Sequence, residues 1–220
     1  MSYTLIVGTK GWSSWSLRPY LALSATGQPF KEILIRLRAD QHNATRDAIR
    51  QFSGAGRVPV LQIEEAGKTM TVWDSLAICE TIAERHPDAR LWPDNWRVRA
   101  MARSYAAEMH SGFPDLRDQL SMNFARTLPL PELRPQTKDQ IARILSSWEA
   151  ALTEYGQDGG FLFGRFSIAD CMYAPVVSRF TTFGVEVSKP VKDYMARVWA
   201  LPAMQNWMNA AKKEIEDGLT

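Results

Sequence analysis

Hydroxyl side chains stand close together at Ser13, Ser14 and Ser16, and Pro19 follows them. Proline lacks an N–H and is best tolerated in the first turn of a helix. That places the helix start near Ser16 or later and leaves Ser13 and Ser14 on the preceding loop. Hydroxyls there, beside the unpaired N–H groups of a helix N-terminus, favour an anion. The same serines serve equally well as loop and cap residues, so spacing alone leaves both roles open. Further along, Val58-Pro59 precedes an apolar run, and Asp74-Ser75 precedes a helical pattern that either residue can cap. His110 stands alone late in a long helical pattern, as a structural histidine or as a group that polarises a substrate.

The elements that must hold these residues fall into two groups. Tyr3 to Val7 reads as a buried strand, and Leu17 to Ala25 as a helix stopped by Gly27. Glu32 to Leu37 alternates, with Ile33, Ile35 and Leu37 on one face. Ala44 to Phe52 reads as a short helix. Val58 to Ile63 and Thr69 to Trp73 flank a Gly-containing hairpin turn. Asp74 to Arg85 places Leu76, Cys79, Ile82 and Ala83 on one helical face. The order β-α-β-α-β-β-α is the pattern of a thioredoxin-like α/β domain, over residues 1–83. Residues 84–93 read as a linker broken by Pro87 and Pro93. Residues 94–220 carry helical patterns only. Asp94 is the expected cap of the first helix there, and Thr137-Lys138-Asp139-Gln140 the expected capping box of the next. Between them 127–136 holds Pro129, Pro131 and Pro135 and reads as a non-helical loop beside a site. Ser167-Ile168-Ala169-Asp170 is a second capping box, with Phe166 placed to staple it.

Composition narrows the function classes. The 220 residues carry 26 basic and 24 acidic side chains, so no basic excess exists to neutralise nucleic-acid phosphates. No apolar run reaches the roughly 18 residues of a membrane helix. The N-terminus reads as a strand and not as a signal peptide. Cys79 and Cys171 form neither a disulfide framework nor a Cys-x-x-Cys pair, which points to a reducing cytoplasm and away from disulfide exchange.

An α/β thioredoxin-like domain followed by an all-helical domain resembles the layout of cytosolic glutathione transferases. Three local matches carry the resemblance across the chain. Ser13-Ser14-Trp15-Ser16-Leu17-Arg18 resembles the Ser-Ser-Cys-Ser-Trp-Arg stretch of the zeta class, which includes maleylacetoacetate isomerases. Val58-Pro59 followed by Trp73-Asp74-Ser75 is the second match, and Ser167 to Asp170 the third, a structural cap. Trp15 stands where the zeta pattern has cysteine.

The resemblance implies glutathione as co-substrate, with no metal or flavin, and a small electrophile as its partner. A free thiol with a pKa of about 8.5 needs roughly 2.7 kcal/mol of thiolate stabilisation to ionise two units lower. Ser13 or Ser14 is the implied donor. Trp15, Ser16 and the cis-prolyl Val58-Pro59 would surround the cysteinyl unit. Asp74 and Ser75 would hold the γ-glutamyl end, and Arg18, Gln41 with His42, and Arg57 would meet the other polar groups. Met109, His110 and Phe113 would border the acceptor. The family also implies a homodimer. Conjugation is the expected reaction, with zeta-like isomerisation or noncatalytic binding as alternatives.

Overall fold

The computed structural model describes residues 1–37 and 42–219. The chain opens with a four-stranded mixed sheet in the order β2-β1-β3-β4. Its strands are β1 (Ser2–Gly8), β2 (Phe30–Ile35), β3 (Val60–Glu65) and β4 (Lys68–Val72). β1 runs parallel to β2 and antiparallel to β3, and β3 and β4 form the expected hairpin. The two-residue strand period sorts the side chains between the faces. Tyr3, Leu5 and Val7 of β1 and Leu61 and Ile63 of β3 enter the main core. Ile6 and Val60 face the other way and pack with Ile49 of α2 (His42–Arg50). The parallel β1–β2 pair needs a crossover, which α1 (Ser14–Ala25) supplies. After β4 comes α3 (Ser75–Arg85), which packs beside α1.

A helical domain follows. Its helices are α4 (Trp96–Ser111), α5 (Pro114–Gln119), α6 (Pro135–Tyr155), α7 (Ile168–Phe183), α8 (Lys189–Ala200) and α9 (Pro202–Glu216). α7 packs on α1 from one side and on α4 from another, so nearly every residue along it is buried. α1 is enclosed in the same way, with Ser16 through Leu23 all buried. These two helices join the sheet to the helical domain and hold the serine segment between them.

The structure corrects several sequence expectations. α1 begins at Ser14, with Ser13 as its N-cap, and Pro19 lies inside the helix. Proline there removes only its own bond to the Trp15 carbonyl, and packing of α1 on both α3 and α7 carries the helix through. Asn95, not Asp94, caps α4, with its side chain accepting from Arg97 N at 2.9 Å. Asp94 pairs instead with Arg90 and Arg165. The Thr137–Gln140 box does not form, because Pro135 starts α6 earlier with its backbone already set for a helix. Gln140 reaches α5 instead, donating to Asp115 at 2.8 Å and accepting from Leu116 N at 2.9 Å. α5 itself carries no pattern that the sequence reading used.

The Ser167–Asp170 box does form. The Asp170 carboxylate accepts from Ser167 N at 2.8 Å, from the Ser167 hydroxyl at 2.9 Å and from Leu162 N at 3.2 Å. Phe166 meets Phe161 edge-on at 5.5 Å just before it. Burial pushes the Asp170 carboxyl up to about 6, against the lowering effect of the bonds it accepts. A carboxyl raised in the folded state stabilises the fold when protonated. That contribution is complete below the ordinary value near 4 and is lost as the pH rises through about 6. Denaturant unfolding of wild type and Asp170→Asn between pH 4 and 7 tests this. The stability of wild type relative to the variant is expected to fall by on the order of 2–3 kcal/mol across that window.

Candidate active site

The loop between β1 and α1 presents the serines. Ser13 N donates to Thr9 O at 2.8 Å, closing a turn that aims Ser13 at the start of α1. The Ser13 side chain then accepts from Ser16 N at 3.4 Å as the helix cap. The Ser13 and Ser16 hydroxyls are hydrogen-bonded at 2.7 Å, and Ser16 Oγ also accepts from Gly8 N at 3.1 Å. A chain thus runs from a backbone N–H of β1 through Ser16 to Ser13. Ser14 differs. Its hydroxyl has no partner among the described residues, and it is not among the enclosed polar atoms. The Trp15 N–H also lacks a backbone acceptor among the described residues, leaving the positive end of α1 unfilled.

The same loop is fastened from the far end of the chain. The Glu214 carboxylate of α9 accepts from Lys10 N at 2.8 Å through one oxygen and from Gly11 N at 2.9 Å through the other. Trp207 Nε1 donates to Lys10 O at 3.0 Å, and Phe124 N donates to Gly11 O at 2.9 Å. Glu214 is only 5% exposed; its bond to Gly11 N is buried and its bond to Lys10 N is part-buried. Sequence reasoning missed this residue. The signal was present, since Glu214 falls on the same face of α9 as Met204, Trp207 and Ala211, where an apolar residue belongs.

Against Trp15 lies a cavity of about 500 Å³ lined by Trp15, Arg57, Val58, Pro59, Trp73, Asp74 and Ser75 among others, and Ser13 and Ser14 are not among its lining residues. The Val58–Pro59 peptide is cis. Val58 makes no backbone hydrogen bond among the described residues, so an extended peptide can pair with it. Asp74 caps α3 through one oxygen, accepting from Leu76 N at 3.0 Å and Ala77 N at 3.3 Å. Its other oxygen meets His110 Nε2 at 2.9 Å. The Ser75 hydroxyl in the cavity wall is enclosed and has no partner, and the Ser75 N–H has no backbone acceptor among the described residues. A carboxylate at this helix start would meet both. Arg57 is exposed and forms no ion pair among the described residues.

Other expected contacts lie elsewhere. Ser16 is fully buried with its hydroxyl committed between Ser13 and Gly8, so it supports the site from behind. Arg18 is also fully buried, beneath the Trp15 ring, and does not line the cavity. Met109 is a core residue, because it shares the inward face of α4 with Ala102 and Ala106. Phe113 is buried in the same core, and only His110 of that trio turns toward the cleft, where it meets the Trp15 ring edge-on at 5.3 Å. Gln41 lies outside the described residues, and His42 opens α2.

Such a cleft can hold an extended anionic peptide. It offers backbone at Val58 that is unpaired among the described residues, and an unfilled helix start at Ser75.

Comparison with known proteins finds family matches in both halves of the chain. Residues 12–85 match the glutathione S-transferase N-terminal domain family, and residues 131–210 match the glutathione S-transferase C-terminal domain family. The chain is 28% identical over 174 residues to the maleylacetoacetate isomerase of Pseudomonas aeruginosa, covering 79% of this chain and 80% of that protein. It is similar in structure to a maleylacetoacetate isomerase from Anaeromyxobacter dehalogenans with glutathione bound in its active site. The TM-score is 0.67 at 27% identity, covering 94% of this chain and 95% of that one. A glutathione transferase homologue from Burkholderia, also with bound glutathione, shares the fold with a TM-score of 0.71 at 23% identity, covering 97% and 99% of the two chains.

The Glu214 clamp has a measurable consequence. Glu214→Ala leaves the buried Gly11 N–H without its acceptor at about 1–3 kcal/mol and the part-buried Lys10 N–H at less, so urea unfolding is expected to show a loss of about 1–4 kcal/mol. Glu214→Gln keeps one acceptor oxygen and is expected to lose roughly half as much.

Proposed function

The chain belongs to the glutathione S-transferase superfamily, and on that footing we propose that its cleft binds glutathione and ionises the thiol for attack on a small electrophile. The observation that carries this reading is the hydroxyl chain from Gly8 N–H through Ser16 to Ser13. When a thiolate accepts from Ser13, the Ser16 hydroxyl turns to donate to Ser13 Oγ while Gly8 N–H still feeds Ser16. Hydroxyl protons rotate freely to allow this, and each bond in such a chain polarises the next. Ser13 is therefore the principal donor in this proposal, and Ser14, with its uncommitted hydroxyl, is the second. Val58 pairs with the cysteinyl backbone, Ser75 and the start of α3 take the γ-glutamyl carboxylate, and Asp74 faces its ammonium group.

Residues 1–83 are assigned to holding the tripeptide and 94–220 to the acceptor wall, with 84–93 between them. In conjugation the thiolate forms a carbon–sulfur bond and a leaving group such as chloride departs with its electron pair. A second reading is favoured by the relatedness to maleylacetoacetate isomerases. There the thiolate adds to a carbon–carbon double bond, the resulting single bond rotates, and elimination returns the thiolate. Both reactions begin with the same ionised sulfur.

The exposed side chains of Met70, Trp73, Trp96 and Met101 support an assignment as a homodimer that covers them. No helix among the described residues is long and apolar enough to cross a membrane. A cytoplasmic location is proposed on the free, buried thiols of Cys79 and Cys171.

The protein is expected to be retained on immobilised glutathione and to turn over an activated chloronitrobenzene. Ser13→Ala is expected to lower kcat/KM by about 10²-fold or more, within the range of removing one anion-stabilising donor. Ser16→Ala, which touches no ligand, is expected to lower it in the same direction, and Ser14→Ala by less. Full activity in Ser16→Ala would exclude the hydroxyl chain. Failure to bind glutathione would exclude the cleft assignment itself.

A further inference from the structure

Arg18 is a buried cation without a counterion among the described residues. Its side chain is fully buried, and its Nε, Nη1 and Nη2 atoms all lack hydrogen-bond partners there. Its guanidinium lies 4.4 Å from the Trp15 ring centroid, and that of Arg117 lies 4.8 Å from the same ring. Arg117 donates to the carbonyls of Gly112 and Met109, and one of its nitrogens also has no partner. Arg179 of α7 is buried too and donates to Leu120 O at 2.7 Å. None of the three arginines forms an ion pair among the described residues.

Several titratable groups act on Arg18 from the elements around it. α5 presents Arg117, and α7 presents Arg179 and Tyr173. α3 presents Cys79 and Asp74, and α4 brings His110 against Asp74. Asp74 is the one carboxylate in that set, and its oxygens are already committed to the α3 N-terminus and to His110. Desolvation, followed by repulsion from Arg117 and Arg179, holds the Arg18 guanidinium well below its ordinary value. Removing the desolvated charge would relieve the fold, since an unpaired buried ion is unfavourable.

That charge sits where a newly formed anion can use it. Arg18 follows Ser14 by one helical turn, so the two share a face of α1. Helical side chains lean toward the N-terminus, which brings the guanidinium up behind the serine loop. We propose that Arg18 is an electrostatic supporting residue for the glutathione thiolate, acting across the Trp15 indole without touching the ligand. The proposal rests on the reading of the cleft as a glutathione site. The thiolate is the missing counterion, and cation and anion favour one another's ionised forms.

The bound thiol is titrated by its ultraviolet thiolate absorbance in wild type, Arg18→Met and Arg18→Gln. Each variant is expected to raise the bound-thiol pKa by about one unit. The rate with an activated chloronitrobenzene would then fall about fivefold at pH 6.5 and recover toward wild type at high pH. The midpoint of thermal unfolding is expected to stay level or rise in Arg18→Met, where a merely structural arginine would lower it and leave the pKa unmoved. Met and Gln differ in shape and polarity, so a common shift assigns the effect to the charge. An unchanged thiol pKa in either folded variant overturns this proposal alone. A wild-type protein without a bound-thiolate signal overturns both this proposal and the glutathione reading beneath it.

Discussion

A single carboxylate fixes the course of the loop that leads into α1. Glu214 takes the N–H groups of both Lys10 and Gly11, and these residues lead directly into Ser13. Charge-assisted bonds of this kind are about twice as strong as neutral ones. The loop they hold has no regular structure of its own, yet it must present the N-cap of α1 in one orientation. Lys10 adds a second tie through its ammonium group, which pairs with Glu32 at 2.7 Å and lies 5.0 Å from the Trp207 ring centroid. The sheet domain thus supplies the serines while the helical domain fixes where they point. Neither domain alone contains a finished site.

The two ends of the cleft differ in electrostatic character. At the α3 end a capping carboxylate, Asp74, is shared between helix N–H groups and His110. Beneath the α1 end lie Arg18, Arg117 and Arg179, with no carboxylate among the described residues bound to any of them. Trp15 lies at the boundary, flanked by two guanidinium groups and by the His110 ring. An indole held by those neighbours is a rigid wall, in the place where the zeta pattern carries a reactive sulfur. Its contribution is shape and shielding.

Much of the fold was legible in the sequence because its signals are local. The apolar run in β1, the alternation in β2, the Gly67 turn and the Ser167–Asp170 box each depend on neighbours a few residues away. The order of strands and helices followed from them. The failures were equally physical. Pro19 was read as marking a helix start, but tertiary burial of α1 overrides the local rule. Thr137 and Gln140 fit a box pattern, yet Pro135 begins the helix first and Gln140 serves a different helix. Within the site, the serines, Val58-Pro59 and Asp74-Ser75 are loop and cap residues of types recognisable from the chain alone. The inward turn of Met109 and the burial of Arg18 depend on which helices lie alongside, and no window of sequence reports that.

The Glu214 clamp also orders events in time. Its bond to Lys10 closes a loop of 204 residues. During synthesis at roughly 5–20 residues per second, Lys10 and Gly11 wait on the order of 10–40 s for their acceptor to be made. Through that interval the nascent N-terminal half keeps these backbone groups in water and its serine turn unfastened. Fastening of the loop that leads into α1 is therefore a late event that waits on α9. A partly made chain carries residues 10 and 11 without the contacts that fix their course in the finished fold.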